Sequence, residues 1–374
     1  MIIAQILKHN LSYHLGTVPP LPFNITVSIT LMCNSRCRTC NVWKVYLEHP
    51  ELKENELTTD QWERIFRQLG QYVLFWTYSG GEPTLRNDLD QLLSFALKYG
   101  KPRYLAIPTN GLLPNKLNDI LPDFIKEARH ISPETKIHVN VSVDAVGEEN
   151  DRIRGVKGAF EKTLQTLSVL DEIRAGHSNL KIGVHTVLSR HNISNGGVNP
   201  VYDYFKKSKY HVDNYICEIA ERRYELGTMK SDVTPDVSQY ETCINQFKER
   251  MNNDYVDADK ILRAFRLRYY DHVLTFLETG RQPVPCYGGR SAVHITPYGQ
   301  VVSCCTRWIE QGLMGDLTRQ TFQEVWCSNQ SRQIRQSIAN RKCACPLANY
   351  MYSNMICNFD LSRDLVIFKN VLFG

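Results

Sequence analysis

The sequence predicts an α/β protein: a parallel sheet of six strand-then-helix units, followed by a small α+β domain rich in cysteine. Three observations point there. Short runs rich in β-branched and aromatic residues recur at 23–29, 73–78, 104–107, 138–143, 182–188 and 215–220. Several are continuously apolar, as strands covered on both faces are. Amphipathic stretches separate them, and the texture changes after Gly280, where Pro283, Pro285, Gly288, Gly289, Pro297 and Gly299 crowd together. The spacing leaves both an open sheet and a partial barrel possible.

Residues 1–22 form an N-terminal extension, and 23–234 carry the six units. After the first strand, Trp62, Ile65, Phe66 and Leu69 recur at i, i+3, i+4 and i+7, the stripe of a helix lying on a sheet. Phe160, Leu164, Leu167 and Leu170 follow a similar spacing after the fourth. Residues 235–280 read as a helical connector, with Tyr240, Cys243, Ile244, Phe247 and Met251 on one face. Cys243 there, and Cys217 in the sixth strand, read as small core residues. In 281–360, Val293-His294-Ile295-Thr296 and Gly299-Gln300-Val301-Val302 read as a hairpin. The tail 361–374 is apolar enough to dock on the body of the protein.

The chain has 374 residues, 44 basic and 39 acidic, for a net charge of +5. That balance does not point to nucleic acid as a partner. Arg332, Arg335, Arg341 and Lys342 read as a solvated basic face. No signal peptide and no apolar run of membrane-spanning length stand out, so a soluble, cytoplasmic protein without stable membrane insertion is expected.

Twelve cysteines in a reducing compartment point to metal rather than disulfides. Cys33, Cys37 and Cys40 follow the first strand at C-x3-C-x2-C spacing. Three thiolates from one loop can hold a cubane cluster and leave its fourth iron open for a ligand. A structural zinc site takes four protein ligands, and no nearby fourth supplies one.

This segment resembles the signature loop of the radical S-adenosylmethionine (SAM) superfamily, whose fold is a partial (β/α)6 TIM-type barrel. Thr39 departs from the aromatic that many members carry before the third cysteine. The resemblance continues through Gly80-Gly81-Glu82-Pro83, which matches the family's SAM-amino motif, and through Thr109-Asn110 and Ser142-Val143-Asp144 after the third and fourth strands. Arg154 matches an arginine that pairs with the SAM carboxylate. The resemblance implies a [4Fe–4S] cluster on Cys33, Cys37 and Cys40. It implies a SAM site at Gly80, Gly81, Glu82, Thr109, Asn110, Ser142, Asp144 and Arg154. It also implies reductive cleavage of SAM to a 5′-deoxyadenosyl radical that takes a hydrogen atom from substrate.

Seven more cysteines lie between Cys286 and Cys357. Cys286, the hairpin, Cys304, then Gly315-Asp316-Leu317 and Glu324-Val325-Trp326, resemble the SPASM or twitch extension that houses auxiliary clusters. One auxiliary [4Fe–4S] cluster on Cys286, Cys304, Cys343 and Cys345 is expected. Cys305 and Cys357 are alternatives for the last ligand, and zinc suits four such thiols as well. Cys327 reads as structural.

The function expected is radical oxidation or bond formation on a small molecule, such as a sugar or natural-product precursor, or on a peptide. A one-electron donor such as flavodoxin or ferredoxin would serve it. Cys305, next to a ligand, is a candidate hydrogen-atom donor in an alternative, redox-neutral epimerase. A non-catalytic iron–sulfur or zinc scaffold is the reading from another class, and it leaves the SAM-type motifs without a purpose.

Overall fold

The computed structural model describes residues 2–71, 73–253 and 260–358, with side chains at 252, 253 and 260–262 left aside. The apolar tail 361–374 lies outside the described residues. Six strands follow the predicted runs: β1 (Asn24–Thr30), β2 (Phe75–Gly80), β3 (Tyr104–Thr109), β4 (Lys136–Ser142), β5 (Leu180–Leu188) and β6 (Asn214–Ile219). Neighbours pair in parallel from β1 to β6. β1 is buried along its whole length and β4 at alternate positions towards its end. Continuous burial explains why β1 reads as an unbroken apolar and small-polar run.

The helices on the outer face follow the sequence periodicity. Helix Thr59–Phe66 starts with a capping box, in which Thr58 Oγ1 accepts from Gln61 N–H and Gln61 Oε1 accepts from Thr58 N–H. Its Trp62, Ile65 and Phe66 are buried, and Phe66 meets Trp76 of β2 edge-on. Phe160, Leu164, Leu167 and Leu170 are likewise buried on helix Ala159–Ala175. The connector resolves into Val237–Asn253 and Lys260–Thr279. Tyr240, Cys243, Ile244, Phe247 and Met251 are all buried there, and Cys217 is buried in β6.

The hairpin forms as expected from β7 (Ala292–Ile295) and β8 (Gln300–Val302), with β9 (Leu313–Asp316) beside it. It does not stand apart, however. β7 pairs in parallel with β1, so one nine-stranded sheet runs β6-β5-β4-β3-β2-β1-β7-β8-β9 across residue 280. The cysteine-rich region is thereby fixed to the strand that launches the first cysteine loop.

Two expectations fail in this region. Arg335 is 3% exposed rather than solvated. It donates to the carbonyls of Gly289 and Trp326 at 2.6 and 2.8 Å, and stacks 4.3 Å from the centroid of the Trp326 ring. Burial lowers its pKa to about 9. Cys327 is exposed at the end of helix Phe322–Cys327, so its thiol packs no core.

The N-terminal extension is a helix, Ile2–Leu15, tied down by Asn10, which donates to the Cys357 carbonyl at 2.8 Å. Its opposite stripe, Ile3, Leu7, Leu11 and Leu15, is exposed. His9 is fully buried edge-on to Phe23, with Nε2 3.2 Å from the Leu21 carbonyl. A carbonyl only accepts, so Nε2 carries the hydrogen. Burial, reinforced by Arg290 and Arg335, lowers the His9 pKa from 6.5 to about 4. Above pH 6.5 both folded and unfolded rings are neutral. As pH falls towards 4 only the unfolded ring gains a proton, so folding loses up to about 3 kcal/mol. Amide protection factors across residues 2–15, taken against the intrinsic rate at each pH, are therefore expected to fall between pH 7 and pH 4.5, with a flatter response in His9→Gln. An equal response in both proteins would remove His9 as the cause.

Candidate functional site

The first cysteine loop leaves β1 and is stitched to a helix from across the sheet. Arg36 and Arg38 N–H donate to the carbonyls of Arg154 and Ile153, both at 2.9 Å, at the end of helix Glu148–Arg154. The chain then turns at Gly155, whose φ of +68° suits glycine. A Cβ there would lie 2.3 Å from the Arg36 carbonyl oxygen.

Gly80 and Gly81 pack on the same loop from its other side. Gly81 and Glu82 N–H donate to the carbonyls of Thr30 and Met32 at 2.8 and 2.7 Å. A Cβ on Gly80 would sit 2.1 Å from the Thr30 oxygen, and one on Gly81 1.9 Å from that of Met32. These glycines therefore make room for the cysteine loop itself.

Glu82 is buried and binds the loops after β2 and β3 together. Its Oε1 accepts from Thr84 N–H, Thr84 Oγ1 and Thr109 Oγ1, and its Oε2 accepts from Asn110 N–H at 2.6 Å. Burial raises its pKa against the pull of those donors. Oε2 retains room for a further donor such as an ammonium. Asn110 reaches Asn34 of the cysteine loop, Nδ2 to Oδ1 at 2.6 Å. Asn34 is a contact that the motif alone did not reveal.

Ser142 ends β4. Two residues on, the buried Asp144 accepts from Val187 N–H through Oδ1, with Oδ2 3.4 Å from Arg154 Nη1. Arg154 Nη1 also lies 3.5 Å from Cys37 Sγ. Burial opposes its charge, yet Asp144 and Cys37 hold its pKa above the ordinary value. Its Nε and Nη2 are buried without a partner. Orphaned guanidinium donors beside a thiol suit a bound carboxylate, the group SAM brings. Burial pushes the thiols of Cys33 and Cys40 up to about 11 and about 12. Thiolates in such a place call for cationic partners.

Cys286, Cys304, Cys343 and Cys345 line a separate small cavity of about 20 Å³. Gly288 and Arg307 N–H donate to Cys286 and Cys304 Sγ, each at 3.4 Å. Cys305 and Cys357 do not line this cavity. Cys357 is buried with Phe23 and Tyr287, and Cys305 turns the other way, its Sγ 2.9 Å from His294 Nδ1.

In neither cysteine set do three thiols come within 4.8 Å of one another among the described residues; the trio that does so is Glu225, His294 and Cys305. Ligands of one zinc ion at about 2.3 Å would converge that closely. A cubane instead takes each thiolate on a different iron, so its ligands stand further apart than those of one ion.

A larger cavity of about 320 Å³ is lined by Ser79 and Gly80, beside the first cysteine loop, and by Cys305, the chain neighbour of Cys304. Glu218, Arg223, Glu225 and Arg266 also face it. Glu221, Arg222, Arg223 and Glu225 follow closely on the end of β6. Charges placed at a strand's C-terminal end were the available signal for this wall.

Comparison with known proteins agrees with this geometry. The radical SAM superfamily model matches residues 27–190, and that of the SPASM iron–sulfur cluster-binding domain matches residues 286–346. The cysteine-type anaerobic sulfatase-maturating enzyme of Clostridium novyi is 24% identical over 335 residues, covering 85% of this chain and 82% of that protein. The PqqA peptide cyclase of Bradyrhizobium diazoefficiens is 26% identical over 319 residues, covering 82% and 72%. Among solved structures, anSMEcpe with bound AdoMet aligns with a TM-score of 0.56 at 17% identity, over 84% of this chain and 82% of that one. Streptococcus suis SuiB bound to precursor peptide SuiA aligns at 0.59 and 16%, over 87% and 69%. These structural likenesses show the fold, a TIM-type partial barrel. The radical SAM domain binds SAM and a [4Fe–4S] cluster, and the SPASM domain binds auxiliary iron–sulfur clusters. No helix among the described residues is long and apolar enough to cross a membrane. The chain carries a radical SAM domain followed, towards its C-terminal end, by a SPASM-type iron–sulfur cluster-binding domain.

Proposed function

We propose that this enzyme carries out a radical oxidation or bond formation on a polar small molecule or a peptide side chain. One observation carries the reading. A single cavity reaches from Gly80, at the proposed SAM loop, to Cys305, whose chain neighbour Cys304 faces the second set of thiols. Cys33, Cys37 and Cys40 hold the SAM-binding cluster in this reading, and Cys286, Cys304, Cys343 and Cys345 hold the auxiliary one. When bound, SAM on the first cluster supplies a 5′-deoxyadenosyl radical for hydrogen-atom removal, and the second cluster supplies a one-electron acceptor.

The chain's own residues position the reactants. Glu82 Oε2 and the backbone of Gly80 and Gly81 take the SAM ammonium, and Arg154 takes its carboxylate. Thr109, Asn110, Ser142 and Asp144 set the edges of the site. Glu218 and Arg266, of opposite charge, orient a polar substrate in the cavity. Relatives named for maturation of a sulfatase and cyclisation of a peptide cover most of the chain, which supports a peptide as readily as a small molecule. A low-potential donor of the flavodoxin or ferredoxin kind serves the first cluster.

Anaerobically reconstituted protein reduced with dithionite is expected to convert SAM into 5′-deoxyadenosine and methionine. Output no greater than a protein-free control would contradict the reading.

A further inference from the structure

We propose that Glu225, His294 and Cys305 form a mononuclear zinc site with one open position on the central cavity. The three arrive from separate segments. Glu225 follows β6, His294 lies in β7, and Cys305 follows β8. The site thus joins the loop beyond one end strand of the sheet to the hairpin beside β1. Their ligand atoms lie within 4.8 Å of one another, and all three residues are at least nine-tenths buried.

Three features prepare this trio for a cation. His294 Nε2 lies 2.7 Å from Ser28 Oγ and Nδ1 lies 2.9 Å from Cys305 Sγ. With Nε2–H donating to Ser28, the Nδ1 lone pair is left facing Cys305. A second-sphere partner that fixes the tautomer in this way is characteristic of ligating histidines. Charge is the second feature. Arg223 is engaged by Glu221 at 2.9 Å and stands 3.8 Å from Glu225, while Glu225 lies 4.0 Å from His294 Nε2. Arg223 is shared between the two carboxylates, so Glu225 has no guanidinium to itself in a buried place. A divalent ion there would offset the charge of Glu225 and of a Cys305 thiolate. The third is donor chemistry, since one thiolate, one imidazole and one carboxylate suit zinc over harder cations.

Without metal, the Cys305 thiol donates to His294 Nδ1. Binding replaces that proton: Zn²⁺ and R–SH give Zn–S–R and H⁺, with no change in oxidation state. Three protein ligands leave a fourth position open, as in zinc sites that bind substrate. Here it faces the cavity of about 320 Å³ and suits a hydroxyl, carbonyl or carboxylate oxygen.

The test uses holoprotein with its clusters reconstituted, given one equivalent of zinc chloride and desalted. The expected result is about one zinc per chain, with K-edge absorption showing one sulfur near 2.3 Å and the remaining ligands nitrogen or oxygen near 2.0–2.1 Å. Cys305→Ser and Glu225→Gln are expected to lose the zinc at unchanged iron content. Ser28→Ala is expected to weaken zinc affinity about 10–100-fold. The wild-type spectrum decides even where a variant fails to fold. No retained zinc would overturn the site and leave Cys305 a free thiol on the cavity. A shell of four sulfurs would also overturn it, by placing the metal among the cluster cysteines.

Discussion

Replacing Cys33, Cys37 and Cys40 together by alanine is expected to reduce 5′-deoxyadenosine formation to the protein-free background. The loop carrying them is held by backbone contacts to Arg154 and Ile153 on one side and to Gly81 and Glu82 on the other. Neither set of contacts uses the thiols, so the fold should survive the change. Far-ultraviolet circular dichroism that matches wild type, with SAM cleavage gone, is the predicted pair of results. Cleavage persisting at more than a few per cent of wild type would place the reactive cluster elsewhere.

Gly81→Ala has the second large effect. The added Cβ would meet the Met32 oxygen at 1.9 Å and the Met32 carbonyl carbon at 2.5 Å. Both are backbone atoms of the cysteine loop and cannot rotate away. Ordinary overpacking costs roughly 1–3 kcal/mol, and a clash with main chain should reach or exceed the top of that range. The variant is expected to lose SAM binding in equilibrium dialysis and to melt well below wild type. Gly176→Ala is the control, because nothing lies within 4 Å of its Cβ position and its φ of −98° suits alanine. Equal melting of both variants would remove the close-approach argument.

Much of this architecture was legible in the sequence, for physical reasons particular to each element. The six parallel strands fall within about two residues of the apolar runs, since burial on both faces leaves few polar positions to blur them. Trp62, Ile65 and Phe66 announced their helix by spacing. The cysteine loop and Gly80-Gly81-Glu82 were legible because one short segment carries each.

What escaped notice depends on contacts between distant segments. Nothing near Val293 indicates that β7 pairs with β1 rather than standing in a separate domain. Arg335 looks solvated until Gly289 and Trp326 are brought around it. Glu225, His294 and Cys305 lie in three segments whose meeting is a property of the sheet order alone. Only the structure places Cys345 in the small cavity and turns Cys305 away from it.

The central claim is that two independent cubanes bound one cavity. Iron and sulfide content with Mössbauer spectra, on anaerobically reconstituted wild type, the Cys33/Cys37/Cys40→Ala variant and a Cys286/Cys304→Ala variant, tests it most directly. The account predicts about eight irons in the wild type and about four in each variant, all in [4Fe–4S] form. About four irons in the wild type, falling to none when Cys33, Cys37 and Cys40 are removed, would contradict it and take away the auxiliary electron acceptor.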